Sequence, residues 1–447
     1  MDFLDKLVLP QSAEHIVLLH YMLILILALF VPFISIVFGG TFASIHYGKK
    51  YRKTKMLFYK RFSKDVIEYV TVNNGVGVIL GIVPLLAAIL IFAQLMHTSN
   101  IQTVNFLALS LVMIIVALLM IYTYRYSLML SNVFDSVNPN SISDKDTEED
   151  YKKIREKSSY LSINYGKAGL ILLFIGIWFY VAAITSATNF SSWNYSGLIT
   201  ALAAPKVLLN LLIFIAFAIT LTSSAILFVH LYWNESKKDE DPIYTKFVKD
   251  TASKAGLKAS ISLPFLILIN LLSFSNTTLS GSIFIYAVIS ILLIFIAYNF
   301  FYMILFKNNY RFGSLIFLVL ILASIALIVK DQKAMTNATE KHSLVLSTQY
   351  NTILAELKGE GTVAVLSGKE IYDVRCASCH KFDQKFVGPA HKDVLPKYVG
   401  KEAQLVAFIR NPVKVDPAYP PMPNPGLKPQ EADAVAKYLL DEFAKTK

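Results

Sequence analysis

Two cysteines, Cys376 and Cys379, are all that the 447 residues contain. So few exclude a multi-disulfide framework, an iron–sulfur cluster built by this chain alone and a four-cysteine zinc site. Charge is scarce as well: Asp, Glu, Lys and Arg make up 16% of the chain, against about 25% in a soluble domain. No Asp or Glu sits well inside any long apolar run, which argues against a proton pump or an oxygen-reducing centre housed by this chain alone. What is abundant is apolar surface, at 55% hydrophobic residues. That composition rules out a soluble enzyme, a disordered chain and a fibrous protein, and it leaves a polytopic membrane protein with something smaller attached.

A helix of about 20 apolar residues crosses a bilayer. Eight such runs are expected, over 16–46, 68–97, 103–131, 160–187, 206–233, 256–275, 279–306 and 312–330. Gly and Pro fall inside several of them, and neighbouring helices make this tolerable by satisfying the freed backbone groups. Gly77 and Gly81 are small residues of the kind that lets helices approach closely. The first 15 residues lack a basic n-region and a convincing small-residue cleavage site, so they are not expected to be a signal peptide. After Val329 the composition turns polar. The chain is therefore expected to divide into a membrane domain (1–330), a linker that is a tether or a short helix (331–365), and a compact soluble domain (366–447).

The net charge of +11 is read through its distribution. Eight basic residues and no acidic ones lie between Lys49 and Lys64. The loops after the third, fifth and seventh spans also carry Lys or Arg, whereas those after the second, fourth and sixth carry none. The positive-inside bias then makes the odd loops cytoplasmic and puts both termini on the outer side. The basic cluster is explained by topology and contact with anionic lipid, and nucleic acid need not be invoked.

The soluble part holds Cys376-Ala377-Ser378-Cys379-His380. CxxCH is the attachment signature of a c-type haem: two thiols one turn apart can form thioethers with the porphyrin vinyl groups, and the adjacent histidine stands ready as an axial ligand. Two other readings compete. A redox dithiol would be expected beside a βαβ pattern, and a zinc site would need two more ligands, for which His391 is one candidate.

With Gly368-Lys369-Glu370-Ile371-Tyr372 before CASCH, Val387-Gly388-Pro389 after it, Pro421-Met422-Pro423 further on and a closing EADAVAKYLL, residues 366–447 resemble a mono-haem class I cytochrome c. With the eight apolar runs, the expected fold is all-α: an eight-helix transmembrane bundle followed by what the resemblance implies, a small class I cytochrome c domain. The resemblance implies haem c attached through Cys376 and Cys379 and ligated by His380 and Met422. It also implies that the Pro389 carbonyl orients the His380 ring. Thioether ligation raises the iron potential; loop packing is the other role open to Met422, and His391 is the competing ligand. Haem c is attached outside the cytoplasm, in agreement with the charge pattern.

The membrane part resembles, over some 70 residues, subunit I of cytochrome bd quinol oxidase, through Leu18-Leu19-His20-Tyr21 and the Gly-rich Asn74-Gly75-Val76-Gly77-Val78. That resemblance implies a haem b on His20 and a quinone as a further cofactor, although the family's acidic residues in the third span and its long quinol-binding loop are missing. His20 can equally be a capped interfacial histidine.

The expected protein is a multi-pass subunit of the bacterial inner membrane with its cytochrome domain on the periplasmic side. It relays electrons between the quinol pool, or a membrane redox complex, and a cytochrome c or other carrier. Three versions stay open: a component of a quinol–cytochrome c oxidoreductase, a non-enzymatic scaffold and relay within a larger complex, and the electron-accepting subunit of a terminal oxidase.

Overall fold

The structure is a computed structural model that describes residues 9–97, 99, 102–136, 144–188, 198–233, 241–276, 278–307, 312–358 and 367–445. Among these residues the fold is all helical. It falls into two compact units, Met1–Tyr350 and Asn351–Lys447.

The first unit contains α1 (Ala13–Thr54), α2 (Leu57–Val70), α3 (Asn74–Leu95, with a π turn at Val78–Ile82), α4 (Thr103–Ser136) and α5 (Lys145–Ala187). These are followed by the short α6 (Leu198–Leu202), α7 (Pro205–Phe228, continued by a π turn to Trp233), α8 (Pro242–Leu272), α9 (Gly281–Lys307) and α10 (Gly313–Leu357). Eight of them (α1, α3, α4, α5, α7, α8, α9 and α10) are long and apolar enough to cross a membrane. Large apolar side chains such as Leu25, Leu90, Leu119 and Phe295 are more than half exposed on their outer faces. In water such a surface would aggregate; in lipid it is the expected exterior.

Several helices overrun the bilayer. At about 1.5 Å per residue, the 42 residues of α1 extend roughly 63 Å, twice a hydrocarbon core of about 30 Å. The run 68–97 is broken at Thr71–Asn73 because Asn73 turns to cap the next helix, its Oδ1 accepting from the Gly75 N–H at 3.0 Å. Arg125 from α4 secures that break by donating to the Thr71 and Val72 carbonyls. The linker expected over 331–365 as a tether or a short helix is, through Leu357, a helical continuation of α10. No Gly or Pro falls between Ser314 and Lys358 to stop it, and Ala334, Met335, Thr339 and Leu346 extend a buried stripe at helical spacing. Residues 359–366 lie outside the described residues.

Packing between the spans depends on small side chains. The Ser110 hydroxyl donates to the Gly176 carbonyl at 2.8 Å and Ser158 to that of Ser127 at 2.7 Å, tying α4 to α5. Cβ atoms added at Gly77 and Gly81 would come within 2.9 Å of Tyr122 and Phe33. The basic cluster also has a structural share. Arg61 on α2 stacks 4.2 Å over the Tyr244 ring and lies 3.9 Å from Asp65 and 3.6 Å from Asp241, while the Tyr244 hydroxyl donates to Asp65 at 2.7 Å. One of the eight cations thus joins α2 to the start of α8.

The second unit contains α11 (Gly368–Arg375), α12 (His391–Val394) running into a 3₁₀ turn, α13 (Glu402–Arg410) and α14 (Pro429–Lys445). A capping box starts α11: the Glu370 N–H donates to Ser367 Oγ at 3.3 Å and the Ser367 N–H donates to the Glu370 carboxylate at 2.8 Å. Ala432, Val435, Ala436, Leu439 and Phe443 form the buried stripe of α14, packed with Ile371, Tyr372, Leu405 and Ile409. Where α11 crosses α14 the backbones nearly touch, and a Cβ at Gly368 would lie 2.0 Å from the Ala434 carbonyl oxygen. Gly368→Ala must push the two helices apart. The expected cost is about 1–3 kcal/mol, or roughly 4–8 °C of melting temperature per kcal/mol in a unit of this size. Heating the intact protein while recording the absorbance of its C-terminal unit checks this, and an unchanged midpoint would refute the close crossing.

Candidate functional site

The helix α11 delivers the CxxCH sequence. Its last turn closes as the Cys376 and Ala377 N–H groups donate to the Tyr372 carbonyl at 2.8 and 2.9 Å. The chain then turns tightly, and the Cys379 and His380 N–H groups donate back to the Cys376 carbonyl at 3.0 and 2.9 Å. The return strand of the loop is stitched to this turn, with the Gly388 N–H donating to the Cys379 carbonyl at 2.9 Å. The Tyr372 hydroxyl donates to the His380 carbonyl at 3.1 Å. Burial pushes that phenol up to about 12, so it remains a donor at neutral pH.

His380 Nδ1 lies 3.2 Å from the Pro389 carbonyl. A carbonyl can only accept, so Nδ1 carries the proton and Nε2 is left with the lone pair. The loop backbone lies flat against the ring: a Cβ at Gly388 would fall 2.3 Å from His380 Cε1. Only glycine fits there.

Cys376, His380, Pro389 and Met422 all line one cavity, whose empty space is about 1160 Å³ with its open mouth included. Its other walls are largely apolar, among them Leu395, Leu405, Phe408, Ile409, Val435 and Leu439. Four of the five C-terminal residues expected from the sequence are therefore gathered around one space. The fifth, Cys379, is half-buried next to them, its sulfur accepting from Ser378 Oγ at 3.8 Å. An imidazole held with its lone pair free, a soft thioether, two thiols and an apolar shell form a donor set that fits a haem c.

The competing readings fare worse. Burial, reinforced by neighbouring Cys379, pushes the Cys376 thiol above its ordinary value, opposite to what a reactive dithiol requires. Among the described residues no three His, Cys, Asp or Glu side chains converge as a metal-binding group, so zinc has no ligand set. His391 is buried and stacked beside His380, with centroids 4.9 Å apart and planes at 20°. Burial, then the His380 charge, holds it down at about 4. A ring parallel to that of His380 and next to it does not offer a ligand from another direction, which favours Met422. The roles of Tyr372 and Gly388 as supports of His380 were not evident from spacing, because both depend on how the loop folds back.

In the first unit, His20 on α1 is buried and lies against Gln332 on α10. His97 is buried at the end of the second span. Sequence reading also passed over a row of polar residues, Thr185, Asn210, Asn270 and Lys330, linked by hydrogen bonds at one end of the bundle. No local motif marks them, since each sits singly at the edge of an apolar run.

Residues 363–439 match the family described as cytochrome c oxidase, cbb3-type, subunit III. The chain is similar to cytochrome c-551 of Pseudomonas aeruginosa, 39% identical over 70 residues that cover 15% of this chain and 67% of that protein. It is similar also to cytochrome c-551 of Pseudomonas denitrificans, 35% identical over 79 residues, covering 17% of this chain and 95% of the relative. Cytochrome c-551 of Azotobacter vinelandii is 33% identical over 78 residues, with the same shares covered. These matches concern the C-terminal unit; they carry nothing about the membrane unit or its expected likeness to a bd oxidase.

Proposed function

Through its C-terminal segment the chain belongs to the cytochrome c family that includes the cytochromes c-551, and from that premise we propose that it is a membrane-bound electron-transfer subunit displaying one c-type haem on the outer face. The single observation that carries this reading is the His380 ring, fixed by the Pro389 carbonyl in a cavity that Cys376 and Met422 also line. A haem held there would supply reversible one-electron exchange at its iron. Cys376 and Cys379 would fasten it, and His380 Nε2 and the Met422 sulfur would be the donors to its iron. With both donors supplied by the chain, the unit would relay electrons and make no bond. Apolar walls keep water from the site, which favours the less charged reduced state.

The membrane unit supplies the donor side, from the quinol pool or a redox complex in the same bilayer. The acceptor is a cytochrome c or another carrier. The charge alternation of the loops supports a periplasmic position for both termini. A periplasm-dependent reporter fused after Lys447 should be active and one inserted near residue 240 inactive; the reverse pattern would refute this orientation. A pyridine haemochrome spectrum of the purified chain tests the main reading. One haem c per chain is expected, and its absence after normal maturation would overturn the proposal.

A further inference from the structure

We propose that a cavity at one end of the membrane unit binds the headgroup of a membrane quinone. The inference rests on the electron-transfer reading above and deepens it by naming the membrane donor's chemical class and its place.

Polar residues collect where four spans end together. Lys330 on α10 is only 3% exposed. Its Nζ donates to Asn270 Oδ1 at 2.7 Å and lies 3.0 Å from the Asp331 carboxylate. Asn270 donates to Asn210 at 2.6 Å, and Asn210 donates to Thr185 Oγ1 at 2.8 Å. Lys330 lies about 25 Å along α10 from Gly313, still within a hydrocarbon core of about 30 Å. Lys330 is therefore near the far edge of the core, and a lysine buried there beside Asp331 is a candidate ligand or ion site.

Lys330, Asn210 and Thr185 of this row line a cavity of about 120 Å³ whose remaining walls include Leu27, Val31, Phe214 and Phe217. One further polar atom belongs to a residue lining it and has no hydrogen-bond partner: Ser324 Oγ, in a residue 1% exposed. Buried polar groups are nearly always satisfied, and each exception calls for an explanation. A bound molecule that both accepts and donates hydrogen bonds supplies one.

The shape and charge of the space narrow the choice. An apolar cavity of roughly 150 Å³ takes one six-membered aromatic ring, so 120 Å³ matches a ring headgroup in scale. The Lys330 ammonium and the Ser324 hydroxyl can donate to a quinone carbonyl. The Asp331 carboxylate can accept from a quinol hydroxyl. A phosphate headgroup would meet the Asp331 carboxylate beside the same lysine, so an uncharged carbonyl ring is favoured over a phospholipid.

The test is equilibrium binding of short-chain benzoquinone and naphthoquinone analogues to the purified, haem-loaded full chain in lipid nanodiscs. The single-ring benzoquinone should bind near one per chain, and more tightly than the double-ring naphthoquinone. Ser324→Leu, which fills the cavity without touching the ion pair, should weaken binding at least tenfold and leave the haem spectrum unchanged. Lys330→Met is the second variant, checked for folding by its thermal melt. No binding of either analogue to haem-loaded protein overturns the inference, as does unaltered affinity in both folded variants. Competition by phospholipid alone, without quinone binding, also overturns it. Because binding is read independently of the haem, a chain that carries haem c but binds no quinone refutes this site and leaves the relay standing. A chain without haem refutes the relay itself.

Discussion

Replacing Cys376 and Cys379 together by serine should abolish covalently attached haem. After denaturing electrophoresis, the haem-linked peroxidase signal of the full-length band falls to background, while an antibody still detects a chain of full size. The physical reason is the geometry of the turn. Cys376 closes α11 and Cys379 follows one turn later, with both N–H groups on the ladder that ends at the Tyr372 and Cys376 carbonyls. Serine keeps that backbone and removes only the nucleophilic sulfur. Each single variant, Cys376→Ser or Cys379→Ser, leaves one thiol in place and should retain a reduced signal. Undiminished staining in the double variant would mean that haem, if present, is fastened elsewhere. Loss of zinc in place of haem would return these sulfurs to a metal site.

Exchange of the thioether gives the second large effect. Met422→Ala removes the soft sulfur from the cavity but leaves the His380–Pro389 hydrogen bond and the apolar walls untouched. Thioether ligation stabilises the ferrous state, so its loss should lower the midpoint potential on the order of 100 mV, a modest part of the ~0.8 V over which axial ligands move haem potentials. The variant iron also gains an open position and should bind small exogenous ligands that the parent protein excludes. Redox titration of the two proteins in parallel measures the shift. An unchanged potential together with an unchanged spectrum would assign Met422 to loop packing and reopen the case for His391. A similar fall in His391→Ala would do the same from the other direction.

Both predictions draw on residues legible in the primary structure, and the reason is that haem attachment is a local covalent code. Two thiols and an imidazole within five residues need only one turn of backbone to be in register, and Met422 stands out as the sole methionine beyond Met335. The supports of the imidazole are different in kind. Tyr372 reaches the His380 carbonyl across eight residues, and Gly388 fits against the ring only because the loop returns to bond the Cys379 carbonyl. Nothing in their spacing announces those contacts.

The same division runs through the membrane unit. Apolar length and the alternation of basic loops determined that eight helices can span a bilayer, since transfer from water to hydrocarbon depends on each segment's own composition. Composition left two options open at the end of the last span, a tether or a short helix, and the structure has a helix there through Leu357. The helix continues because a backbone without Gly or Pro keeps its hydrogen bonds whenever a buried stripe persists, and Ala334, Met335 and Leu346 provide one. Only the tertiary structure decided that Thr185, Asn210, Asn270 and Lys330 form one hydrogen-bonded row and that three of them, Thr185, Asn210 and Lys330, line a cavity. The row draws on four different helices. Contact between them follows from which faces of those helices pack together, and no single helix encodes it.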